Sequence, residues 1–150
     1  MGHTYACIYI HVVFSTTDRQ RTIKDAFRER LWKYMCGIAR KNKFKIVNIG
    51  GIDDHIHILF SLPANIDVSR AVQLVKGGSS KWVHDTIPKT RNFGWQEGFG
   101  AFSVSLSKLD EVKQYIANQA KHHRKFDFAK EWKMLLEKHG MQEYQPPLRG

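Results

Sequence analysis

Cysteines and long apolar runs are what this chain has least of. It holds two cysteines, Cys7 and Cys36, far apart and outside any zinc-ligand spacing, which excludes a disulfide framework and suits a reducing cytoplasm. No apolar run reaches the roughly 18 residues that a membrane-spanning helix needs. The apolar stretch from Tyr5 to Phe14 has no positive flank before it and no small-residue cleavage site after it, so it does not read as a secretory signal. Ala6 stands where a myristoylation signal wants Ser or Thr. Internal repeats and low-complexity segments are absent, and Lys76-Gly77-Gly78-Ser79-Ser80-Lys81 lacks the spacing of a nucleotide-binding P-loop. Acidic residues are scarce too: 14 Asp and Glu stand against 24 Lys and Arg, a formal charge of +10. Such an excess on a small domain points to a polyanion, most often nucleic acid.

What is present is enough for a core. With 150 residues, 42% hydrophobic and 12% aromatic, the chain reads as one folded domain over residues 1–150, with a flexible tail from about residue 141. Residues 4–15 alternate as a strand, Ala6, Ile8, Ile10, Val12 and Phe14 on one face and Tyr5, Cys7, Tyr9, His11 and Val13 on the other. Thr16 to Arg21 is a basic loop. A helix follows over about 25–41, with Phe27, Leu31, Tyr34, Met35 and Ile38 at helical spacing. A second strand is expected over 43–49 and a third over 55–61, joined through Gly50-Gly51-Ile52-Asp53-Asp54. Asp67 can cap a second helix whose buried stripe is Val68, Ala71, Val72, Val75, Trp82 and Val83. Gly77 and Gly78 inside it each cost about 1 kcal/mol relative to alanine, so either something approaches the backbone there or the helix kinks. A fourth strand is expected over 101–107. Ser107 would cap a third helix running to about His123, and a last helix uses Phe128, Trp132, Leu135 and Leu136 before Gly140.

The order βαββαβ with two trailing helices predicts an α+β, ferredoxin-like antiparallel sheet, with the first and third strands in its middle and two helices on one face. His55 and His57, two apart on the third strand, share one face; Ile56, Ile58 and Phe60 take the other. Two imidazoles held in this way can chelate a divalent cation, although an isolated His-x-His is more often a polar strand face. On the third helix Tyr115, Gln119 and His122 fall at i, i+4 and i+7, beside the apolar stripe of Leu109, Val112, Ile116 and Ala120. If that helix crosses the open sheet face, Tyr115 and Gln119 arrive near the histidines. A tyrosine beside a metal-bound phosphate can act as a nucleophile, and an amide oxygen can complete the metal's ligands.

Asp54-His55-Ile56-His57 resembles the histidine–hydrophobic–histidine signature of HUH endonucleases. Tyr115 with Gln119 resembles the single nucleophile and third metal ligand of insertion-sequence transposases in that class, including REP-associated tyrosine transposases. The strand His11 to Arg19, the segment Gly100 to Ser105 and the basic Lys121 to Lys125 fit as well. Members often carry a Lys and an aromatic where Thr17 and Asp18 stand. The resemblance implies a cytoplasmic, metal-dependent transposase that cuts and rejoins single-stranded DNA at element ends. Tyr115 would form a 5′-phosphotyrosine link; His55, His57 and Gln119 would hold Mg2+ or Mn2+. His122, His11 and Asp54 are auxiliary candidates, His122 for proton transfer to or from the tyrosine oxygen. The expected partners are DNA hairpins and a second copy of the chain, with the active sites of a homodimer open to sharing between subunits. Arg19, Arg21, Arg40, Lys41, Lys43, Lys45, Lys76, Lys81, Arg124 and Lys125 are the candidate DNA contacts. Two other readings compete. One is a non-catalytic module like an RNA-recognition domain, with Tyr5 and Tyr9 as stacking platforms. The other is an HUH nickase of the replication or transfer kind.

Overall fold

The alternating segments form one antiparallel sheet of four strands: β1 (Ile8–Ser15), β2 (Lys45–Gly51), β3 (His55–Leu62) and β4 (Gly100–Val104), in the order β2-β3-β1-β4. The computed structural model describes residues 2–123 and 127–143. The helices are α1 (Asp25–Lys41), α2 (Val68–Thr86), α3 (Leu109–Ala117), α4 (Gln119–His122) and α5 (Phe128–Lys138). The chain divides into two compact units, Met1–Gln119 and Ala120–Gly150.

The first unit is the expected α+β arrangement, with β1 and β3 central. Val12, Phe14, Ile56, Ile58, Phe60 and Leu62 all point to one side of the sheet. There they join Phe27, Leu31, Met35 and Ala39 of α1 and Ala71, Val72, Val75 and Val83 of α2 in a single core. The α1 residues recur every four positions, the period that places them on one helical face. Asp25 in the first turn and Arg40 and Lys41 in the last suit the helix dipole. Asp67 caps α2 as its sequence position foretold, its carboxylate accepting from the Arg70 amide at 2.7 Å. Phe60 is wholly buried, its ring set edge-on to Phe44 at 5.5 Å. Phe60→Ala is expected to cost about 3–5 kcal/mol, read as a lower urea midpoint at unchanged slope.

Several boundaries differ from those expected. β1 starts at Ile8, because its partner β3 ends at Leu62, opposite Ile8; Tyr5 is left 92% exposed. β2 starts at Lys45, since Lys43 has φ 65°, a left-handed residue leaving α1 that no strand accommodates. β4 stops at Val104, paired with Tyr9, and a 3-10 turn, Leu106–Lys108, follows. Ser107 therefore caps nothing: Lys108 precedes α3 without a side-chain cap, and the Ser107 hydroxyl meets that of Ser105 at 3.2 Å. The third helix does not run on to His123. It ends at Ala117, Asn118 leaves helical geometry, and α4 starts at Gln119. Tyr34 falls one residue off the buried stripe; it is 42% exposed and stacks on Trp82 with centroids 5.3 Å apart.

Gly78 and Gly77 prove unlike. A side chain on Gly78 would lie 2.7 Å from Ile38 Cδ1, so the close approach is that of α1 to α2; a Cβ on Gly77 would meet nothing within 4 Å beyond its own helix. The helix runs unbroken through both. In the second unit Asp127 caps α5 through the Lys130 amide, and His123 meets the buried Glu131 at 3.2 Å. Among the described residues no helix is long and apolar enough to cross a membrane.

Candidate active site

The strand alternation that sends Ile56 and Ile58 to the core sends His55 and His57 to the opposite face, where both are fully buried. β1 contributes His11 and Val13 to this face, and β4 contributes Phe102. His11 lies opposite Leu59, and His57 opposite Val13, so the two imidazoles are diagonal cross-strand neighbours. His11 Nε2 lies 2.8 Å from His57 Nδ1. Asp54 Oδ1 lies 2.8 Å from His55 Nδ1. Each Nδ1 thus has an orienting partner, a carboxylate for His55 and an imidazole for His57. In the tautomers that protonate both Nδ1 atoms, the ligand atoms turned toward a metal are the two Nε2 atoms. Thr16 steadies the Asp54 end, its amide and hydroxyl both donating to the Asp54 carbonyl at 2.9 and 3.2 Å.

α3 packs on β2 and β3 with Ile116 buried. Its Tyr115 ring comes edge-on to His57 at 5.6 Å and to His11 at 6.1 Å between centroids. Just past the break at Asn118, Gln119 is buried, its amide nitrogen 3.3 Å from the Tyr115 carbonyl and its Oε1 3.0 Å from His55 Nε2. The pair His55–Gln119 can be a hydrogen bond. It also matches a shared cation, because adjacent ligands about 2.1 Å from an octahedral ion sit about 3.0 Å apart. Two neutral imidazole nitrogens and an amide oxygen are a donor set suited to a divalent metal.

Of the residues singled out from sequence, His55, His57, Gln119, Tyr115, His11 and Asp54 come together within the first unit. His122 falls in the second. The basic candidates scatter. Arg19 and Arg21 lie in the loop after β1, at the His55 end of the sheet, since Ser15 pairs with His55; Arg21 Nε is 3.9 Å from Asp53. Arg40, Lys41, Lys43 and Lys45 surround the α1–β2 turn at the other end, since Lys45 pairs with Ser61. Lys81 is exposed and paired with Asp85 at 2.7 Å. Arg124 and Lys125 lie outside the described residues.

Lys76 is spent internally. Its ammonium donates to the carbonyls of Gln96 and Gly98 at 2.7 and 2.6 Å and sits 4.9 Å from the Phe14 ring centroid. Burial pulls its pKa below the usual lysine range, against the opposing pull of Glu97. We expect Arg19→Ala with Arg21→Ala to flatten the salt dependence of single-stranded DNA binding by about 0.7 for each phosphate no longer neutralised. Lys76→Met should leave that slope alone and lower the urea midpoint instead. Titrations against salt and denaturant separate the two outcomes.

Two residues that the sequence did not single out, Asn48 and Gly50 of β2, also meet α3. Asn48 Nδ2 donates to the Lys113 carbonyl at 2.8 Å, and Gly50 lies against the Ile116 carbonyl. Hydrophobic and charge patterning carry no signal for them, because neither is apolar or charged.

The site is thus a histidine pair on one face of a ferredoxin-like sheet with a tyrosine helix laid over it. The chain belongs to the family described as Transposase IS200 like, whose sequence model matches residues 4–119. A curated relative, the ISDra2 transposase TnpA of Deinococcus radiodurans, is 22% identical over 123 residues, 79% of this chain and 87% of the relative. Two solved structures share the fold. One is a protein from Deinococcus radiodurans R1 assigned as a transposase, with TM-score 0.63 at 22% identity, covering 79% of this chain and 96% of that one. The other is a REP-associated tyrosine transposase bound to a REP hairpin, with TM-score 0.62 at 15% identity, covering 100% of this chain and 93% of that one. Family membership makes this a transposase, a DNA strand-cutting and strand-transferring protein, and displaces the non-catalytic RNA-recognition reading.

Proposed function

We propose that this transposase cuts and rejoins single-stranded DNA at hairpin-marked element ends, with Tyr115 as the nucleophile. The observation that carries the reading is the convergence, in one chain, of the Tyr115 ring on His57 at 5.6 Å and of Gln119 on His55 at 3.0 Å. His55, His57 and Gln119 would hold Mg2+ or Mn2+; two imidazoles among the donors favour Mn2+ over Mg2+. When bound, the cation supplies charge stabilisation at the scissile phosphate oxygens.

The chain's own residues supply the rest. Tyr115 Oη forms a bond to phosphorus as the P–O3′ bond breaks; the phenol proton leaves to solvent and the departing 3′-oxygen is protonated. The product is a 5′-phosphotyrosine link and a free 3′-OH. A 3′-OH from another cleaved end attacks the link, restores a phosphodiester and returns the phenol, so bond energy is conserved and no nucleotide is consumed. Asp54 and His11 hold the imidazoles in the tautomers that ligation requires. Arg19 and Arg21, at the same end of the sheet as His55, would meet the phosphate backbone. The solved relative bound to a REP hairpin supports the hairpin as substrate.

The test is direct. A labelled hairpin oligonucleotide with a single-stranded flank, incubated with the protein and Mn2+ or Mg2+, should give a covalent protein–DNA band on a denaturing gel, and EDTA should remove it. Absence of that band across a panel of hairpins and both metals would overturn the reading.

A further inference from the structure

β2 does not pair evenly with β3. Ile46 lies opposite Phe60 and Asn48 opposite Leu59, so Val47 is an extra residue and the register slips there. A bulge of this kind turns all later side chains of the strand to the other face. Ile46 points to the core, as its partner Phe60 does. Without the slip Asn48 would point there too. With it, Asn48 and Gly50 face α3 alongside Leu59 and His57, and Ile49 returns to the core side.

Both reoriented residues touch the backbone of the tyrosine helix. The Asn48 amide is used at both ends: Oδ1 accepts the Ile49 amide at 2.9 Å, and Nδ2 donates to the Lys113 carbonyl at 2.8 Å. A side-chain amide supplies both, an acceptor oxygen and a donor nitrogen. Gly50 sits under the next carbonyl on that side of the helix; a Cβ there would overlap the Ile116 oxygen, a backbone atom that cannot swing aside. Lys113 and Ile116 are three residues apart, so the two contacts hold one edge of α3 and set its rotation and its height. Gly50 also pairs directly with His57. The seat of the helix is therefore one strand away from the metal-site imidazole that Tyr115 faces.

We propose that the bulged segment of β2, through Asn48 and Gly50, is the positioning device that brings the tyrosine to the histidine pair. Both act through α3 and neither touches the reacting atoms. This rests on the reading of Tyr115 as nucleophile, but the docking itself can be observed apart from catalysis. Aromatic NMR signals of labelled tyrosine report where the Tyr115 ring sits, its resonance being assigned as the one that disappears in Tyr115→Phe.

In Gly50→Ala the Tyr115 signal should shift, as the ring moves relative to His57 and His11, while those of Tyr9 and Tyr34 stay in place. The rate of covalent adduct formation at saturating hairpin oligonucleotide should fall about 100-fold, the effect of misplacing a reacting group by about 1 Å. Binding of the oligonucleotide should stay within about twofold. Asn48→Asp keeps the shape and the acceptor for Ile49 but turns a carboxylate on the Lys113 carbonyl. It should shift the same signal and slow the adduct about 10-fold or more. A Tyr115 signal unmoved in both variants would overturn the proposal. So would shifts spread over all tyrosines with a parallel fall in melting temperature and in DNA binding, the mark of a purely structural role. If the Tyr115 signal moves as expected but the wild-type protein forms no adduct on any hairpin, the positioning stands and the nucleophile reading falls.

Discussion

Tyr115→Phe is expected to abolish the covalent protein–DNA adduct, with strand cleavage falling at least about 1000-fold, while hairpin binding stays within about twofold. The substitution removes the phenolic oxygen and keeps the ring. The ring keeps its edge-on packing against His57 and His11, at 5.6 and 6.1 Å, and the buried neighbour Ile116 still anchors the helix. Loss of a nucleophile is among the largest single-residue effects in covalent catalysis, because no other group takes its place on the reaction path. A denaturing gel for the adduct and a native titration for binding measure the two halves separately. An adduct of undiminished yield in this variant would move the chemistry to another residue.

The second large effect is expected at the histidine pair. His57→Ala should reduce metal-dependent cleavage by at least about 100-fold, and raising Mn2+ should recover only part of it. Removing this imidazole would take away a proposed metal ligand and also the fully buried partner that His11 Nε2 meets at 2.8 Å. Calorimetric titration of Mn2+ into the protein without DNA gives a readout apart from turnover and should show weakened binding. A variant pair then asks whose tyrosine serves whose histidines. Mixing His57→Ala with Tyr115→Phe should restore no cleavage, because Asn48 and Gly50 seat α3 on the sheet of its own chain. Recovery of activity on mixing would mean that the helix is exchanged between subunits.

Both expectations depend on a geometry only part of which is visible in the residues' order. Alternation of apolar and polar residues is a local property, so the faces of β1 and β3 were readable: Val12, Phe14, Ile56, Ile58 and Phe60 to one side, His11, His55 and His57 to the other. Helical spacing is local too, and it placed Phe27, Leu31 and Met35 on the buried face of α1. The cap at Asp67 followed from a single side chain and its nearest amides. The pairing of Tyr115 with Gln119 was visible as a four-residue step, even though the helix breaks between them at Asn118.

Contacts between segments distant in the chain were not readable, because they depend on register, and register depends on how whole strands settle against each other. The slip at Val47 reverses the faces of Asn48, Ile49 and Gly50, and nothing in Lys45-Ile46-Val47-Asn48-Ile49-Gly50 announces it. The use of Lys76 is of the same kind. By composition it counts as one more cation for DNA, yet the chain lays its 95–99 loop over it and takes its ammonium for two carbonyls. Sequence alone determined which side chains the site can offer, two histidines, a tyrosine and a glutamine, since their types and spacings are written in the chain. Tertiary structure alone decided which imidazole orients which, and what seats the tyrosine helix, because those depend on distances between strands that no local pattern encodes.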